Sequence, residues 1–109
     1  MDIAIKSVYQ VSVVEVSGSI DGKTAPNFQQ EILQVIEEVD TILIDLDKVT
    51  FMSSAGLRVM LVTHRAAQGG KIVALTGLPE EIEDNMEATG FLAFFKVFDT
   101  LEAGLEALK

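Results

Sequence analysis

The chain has no cysteine and no tryptophan, and its 109 residues include one histidine, His64, and two prolines. Without thiols there is no disulfide and no thiolate metal site, and the composition suits a reducing compartment, so a cytoplasmic location is expected. A single imidazole cannot build a multi-histidine metal centre, and no metal or other cofactor is expected. Basic residues are scarce as well: 8 Lys and Arg stand against 17 Asp and Glu, a net charge of -9. Such a surface is repelled by phosphate backbones and anionic lipid. Nucleic acid and membrane are therefore poor partners, and a protein with a basic face is the natural complement. No apolar run approaches the roughly 18 residues of a membrane span. The opening MDIAIKSVYQ, with an acid in second place and no small-residue cleavage site, does not read as a secretory signal.

What is present is a chain 49% hydrophobic, enough for one domain with a buried core, spanning residues 1–109. In IAIKSVYQVSVVEVSG, two β-branched segments alternate in polarity across the short link Val8-Tyr9-Gln10, which predicts an antiparallel hairpin. Asp21-Gly22 signals a turn, and Thr24 is a candidate helix N-cap followed by Pro26 in the first turn. Phe28, Ile32, Val35, Ile36 and Val39 then recur at helical spacing. TILIDL is a short continuous apolar strand, the kind buried on both faces, and DKVTFM is expected as a loop after it. A second helix begins near Ser54 and closes at Gly69-Gly70; KIVALTGL is another buried strand; PEEIEDNMEATG is a third helix with acids at its positive end. FLAFFKVF reads as a turn into a brief edge segment, and Thr100 caps a last helix carrying Leu101, Leu105 and Leu108 on one stripe. The order β-β-α-β-α-β-α-(β)-α implies a single α/β domain. Its sheet is mixed and mostly parallel, of four to five strands, with an N-terminal hairpin and the helices expected on one side.

The stretch FMSSAGL, Phe51 to Leu57, holds two hydroxyls and a glycine between apolar residues. Ser53 falls where an N-cap belongs and Ser54 at the first helical position. Gly56 lies in the first turn, at a cost of roughly 1 kcal/mol in helix propensity relative to alanine, which points to close packing or access there. A hydrolase nucleophile is a poor reading: Met52 stands where a G-x-S-x-G elbow needs glycine. The one available base, His64, lies further along the same helix and points away from its start. A capped helix start without chemistry and a phosphate acceptor at a helix N-terminus, where free amides and the dipole favour anions, both remain open on these residues.

Two motifs narrow this. D-x-x-x-V-x-F-M-x-S-x-G-L occurs as Asp45 to Leu57, and G-x-I-D-x-x-T-A as Gly18 to Ala25. With the element order, they resemble the STAS domain of bacterial anti-sigma factor antagonists over essentially the whole chain. The resemblance implies a regulator rather than an enzyme. In that family the unphosphorylated antagonist binds an anti-sigma factor that is also a serine kinase of the GHKL ATPase type, and the sigma factor is freed for transcription. Phosphorylation of one serine dissociates the pair, and a serine phosphatase resets the switch. The accepting serine maps to Ser54, with Ser53 as the less favoured acceptor. The implied partner-binding residues are Asp21, Gly22, Thr24, Met52, Ser53, Ser54, Ala55, Gly56 and Arg58. Family members that switch this way often carry an acid just before the accepting serine; here Ser53 takes that place and brings no charge. The alternative is a STAS scaffold, or a regulator of a transport or stress-signalling complex, that works without phosphorylation. The free chain is expected to be a monomer.

Overall fold

The two β-branched segments at the start pair as the alternation predicts. In a computed structural model describing residues 1–109, β1 (Asp2–Val8) and β2 (Val11–Ile20) run antiparallel. They continue into a five-stranded sheet of order β1-β2-β3-β4-β5, with β3 (Thr41–Met52), β4 (Ile72–Thr76) and β5 (Lys96–Phe98) all parallel to β2. The helices are α1 (Ala25–Glu38), α2 (Ser54–Ala66), α3 (Glu80–Ala88) and α4 (Leu101–Leu108). A 3-10 turn over Phe91–Phe94 leads into β5, the brief edge segment expected from FLAFFKVF. No helix is long and apolar enough to cross a membrane.

Alternation divides the sheet into two faces. Val14, Val16, Ile42, Ile44, Leu46 and Leu75 share the main core with Phe28, Ile32 and Ile36 of α1, Val59 and Met60 of α2, and Ile82 and Met86 of α3. The helices are not all on one side, as the sequence suggested. Leu43 points opposite to Ile42 and Ile44, and with Val11 and Ala74 it forms a smaller cluster covered by Phe98 and by Leu101, Leu105 and Leu108 of α4. The apolar runs of β3 and β4 needed cover on both faces, and α4 supplies the second. It comes close because of Gly104, where a Cβ would lie 2.9 Å from Leu43 Cδ2.

DKVTFM is also strand rather than loop. Its polar residues mislead because β4 stops at Thr76, opposite Asp45, so the second half of β3 has only one neighbour. There Lys48 to Met52 pair with Ser17 to Ile20 of β2 through two register shifts. Asp47, Lys48 and Thr50 face solvent while Val49 and Met52 stay buried. This extension carries the chain directly to Ser53.

The hairpin turn Tyr9-Gln10 has φ of 52° and 65°, both left-handed and neither at glycine. A two-residue turn of this type favours Asn-Gly, and bulky residues there cost about 1–2 kcal/mol each. Replacing Tyr9-Gln10 by Asn-Gly is therefore expected to raise stability by about 1 kcal/mol, net of the lost Lys109–Tyr9 contact, and the melting temperature by about 5 °C in a thermal scan.

Candidate partner-binding site

Ile20 and Met52 are paired at the ends of β2 and β3, and two connections leave the sheet from them. The Ser53 N–H donates to the Ile20 carbonyl at 2.9 Å, fastening one connection to the other. Ser53 is extended, with φ -80° and ψ 177°, and its hydroxyl accepts from the Gly56 N–H at 3.5 Å. It is the N-cap that its position predicted, half-buried with its oxygen turned to the helix. Ser54 opens α2 and is exposed. It stands beside first-turn amides that no helical carbonyl can reach.

The other connection is a compact turn. The Asp21 carboxylate accepts from the N–H groups of Lys23 at 2.9 Å and Thr24 at 3.1 Å. The Thr24 hydroxyl donates to the Ser19 carbonyl at 3.0 Å and accepts from the Asp21 N–H at 2.9 Å. Thr24 sits at the N-cap position of α1, but its side chain does not cap: φ and ψ there are already helical, and the hydroxyl is committed to the preceding turn. The hydrogen bond from the Thr24 N–H, followed by that from Lys23, holds the Asp21 carboxyl below the usual aspartate range.

Gly56 is fixed by packing. A Cβ at this position would lie 2.6 Å from Met52 Cγ and 2.9 Å from Ile20 Cγ2. The start of α2 thus rests on the two strand ends with no room for a side chain. Two residues expected to meet a partner consequently cannot do so. Met52 is 5% exposed, with its side chain beneath the helix, and Gly56 is buried. They shape the surface from below. Gly22, Ala55 and Arg58 do reach it, lining a groove between α1 and α2 with Pro26 and Gln29. Arg58 is exposed and forms no ion pair within the chain. It lies four residues after Ser54, on the same helix face.

Phe51 is not among the partner-binding residues expected from the sequence. It is 53% exposed and borders a cleft with Thr50, Pro79, Glu81 and Asn85 on the side of β3 that meets α3. Simple alternation would not have singled it out: the register shift at Thr50 leaves Val49 and Met52, three residues apart, both in the core. His64 lies in the last turn of α2, half-buried, with its ring stacked on Phe94 at 4.7 Å. It is a packing residue remote from both serines. No group of three His, Cys, Asp or Glu is arranged to hold a metal ion.

The STAS domain family model matches residues 2–104. BtrV of Bordetella bronchiseptica, assigned as an anti-sigma factor antagonist, is 25% identical over 111 residues, covering 100% of this chain and 96% of BtrV. The crystal structure of an anti-sigma factor antagonist from Mycobacterium paratuberculosis superposes with a TM-score of 0.91 at 29% identity, covering 98% of this chain and 92% of that one. The Bacillus cell fate determinant SpoIIAA in its phosphorylated form shares the fold, with a TM-score of 0.78 at 17% identity over 99% of this chain and 100% of that one.

Gly56→Ala is expected to destabilise the fold by about 1–2 kcal/mol in chemical denaturation, the overpacking against Ile20 and Met52 outweighing the gain in helix propensity. Asp21 gives a pH signature. Its folded pKa is depressed, so its contribution is present above the ordinary aspartate pKa and is lost as pH falls through the folded value. An NMR titration is expected to place the Asp21 midpoint below that of a free aspartate, with the Lys23 and Thr24 amides exchanging faster on the acid side.

Proposed function

The chain belongs to the STAS domain family, and from that premise we propose that it is an anti-sigma factor antagonist switched by phosphorylation of Ser54. The observation that carries this reading is the division of labour between the two serines. Ser53 spends its hydroxyl on the helix cap and its N–H on Ile20, while Ser54 stands exposed with its hydroxyl uncommitted.

The unmodified surface around Ser54, with Gly22, Ala55 and Arg58 on one side and Phe51 on the other, docks the anti-sigma factor and frees the sigma factor. The same partner is the serine kinase, of the GHKL type, that takes the Ser54 hydroxyl into its active site. A phosphate there adds up to about two negative charges to a chain already at -9. The start of α2 tolerates it, because free amides and the helix dipole favour an anion, and Arg58 lies one turn away on the same face. The fold survives while the partner loses a surface of matching shape and charge, and a serine phosphatase restores it. The setting is the cytoplasm, where transcription is controlled. Serine rather than an acid at position 53 leaves a second reading, a STAS scaffold or transport regulator that is never phosphorylated, and one experiment decides between the two.

The protein is incubated with ATP and the kinase-type anti-sigma factor of its own genome, and the phosphate is mapped by mass spectrometry. The expected product carries one phosphate on Ser54. It is lost in Ser54→Ala and kept in Ser53→Ala, and Ser54→Asp weakens partner binding by about tenfold or more, roughly 1.4 kcal/mol. Modification of Ser53 instead, or binding indifferent to both Ser54 variants, contradicts the reading.

A further inference from the structure

β1 is the outer strand of the sheet and its far side has no neighbour. The hairpin geometry tells which backbone groups lie there. In a two-residue turn the flanking residues, Val8 and Val11, exchange backbone hydrogen bonds, and alternation then directs Lys6, Ala4 and Asp2 toward β2 as well. The N–H and C=O groups of Ile3, Ile5 and Ser7 point away from the sheet. Proteins commonly blunt such an edge with charge or by making it short. This one is seven residues long, and Ile5 is 46% exposed on it.

The residues along the edge are chemically palindromic: Asp2, Ile3, Ala4, Ile5, Lys6. In place of the free monomer expected from the sequence, we infer that β1 is a self-pairing surface, joining a second copy of this chain in an antiparallel, two-fold arrangement centred on Ala4. In that register Ile3 faces Ile5 of the other copy, and these are the residues whose outward backbone groups must bond to one another. Ala4 meets Ala4 on the axis. Asp2 meets Lys6 twice, in wide pairs whose side chains approach closely. The other registers compatible with the outward groups lack this match: centring on Ile5 places Lys6 opposite Ala4 and Asp2 opposite Val8, and centring on Ile3 places Asp2 opposite Ala4.

The charges fit what each chain leaves open. Lys6 bonds Glu15 of its own chain at 2.9 Å with about half its side chain exposed, and Asp2 is exposed with no ion pair. Ile3 and Ile5 lie on the α1 face, since their partners Val16 and Val14 belong to the main core, so pairing extends that apolar layer across the axis. The two sheets become one. β2 separates β1 from β3, so the start of α2 stays open in both copies. The surface is distinct from the phosphorylation site, and its test does not depend on that reading.

The absence of cysteine makes the register directly measurable. Under mild oxidation, full-length Ala4→Cys is expected to form a disulfide-linked dimer, since Cα atoms of facing wide pairs lie about 4.5 Å apart, within disulfide reach. Ser7→Cys is expected to stay uncrosslinked, because two such residues are about 20 Å apart in this register. In sedimentation across a concentration series, the cysteine-free chain dimerises, Lys6→Asp is monomeric, and the exchange Asp2→Lys with Lys6→Asp restores the dimer. Circular dichroism melts confirm that each variant is folded. A chain that stays monomeric throughout, equal crosslinking at positions 4 and 7, or failure of the charge exchange to restore association each overturns the proposal.

Discussion

The site depends on one close contact, the first turn of α2 lying directly on the ends of β2 and β3. Gly56 permits it, because a Cβ there would overlap both Ile20 and Met52. The Ser53–Ile20 hydrogen bond locks it. From this contact follow the burial of Met52, the cap geometry of Ser53 and the outward placement of Ser54. It also brings the Asp21 turn alongside the helix start, since that turn leaves the sheet from the same strand end. The glycine that weakens α2 as a helix is what lets α2 present a serine.

The proposed partner surface is closely packed from beneath and chemically simple on top. Its underside is hydrocarbon and backbone: Ile20, Met52 and Gly56. Its outer layer is a hydroxyl, a few small residues, one unpaired arginine and one exposed phenylalanine. A switch on such a platform needs no conformational transition. It needs a group whose charge changes at the point of contact, and a helix N-terminus that tolerates the added charge without unfolding.

Much of this was legible in the sequence, and the failures share a cause. The hairpin, the helices, the cap at Ser53 and the edge segment at Lys96–Phe98 all follow from alternation, helical spacing and capping residues. What local pattern could not supply was the identity of the neighbours. The polar second half of β3 looks like loop because it pairs on one side only. α4 looks like one more helix for the main core until Leu43 is seen to point the other way. Thr24 looks like a cap, but the preceding turn competes for its hydroxyl and wins. Phe51, left out of the partner-binding set, is the exposed residue of the pair, and Met52, included in it, is core. The family motifs pointed to the start of α2, but which of the residues there have surface to offer is decided by packing.

The most direct test of the central claim is the affinity of this chain for its anti-sigma factor before and after phosphorylation, with the backbone amide spectrum recorded in both states. An affinity loss of at least about tenfold is expected, with spectral changes confined to Phe51 to Arg58 and the adjoining turn from Ser19 to Thr24. An unchanged affinity, or shifts spread through the core strands, would contradict it.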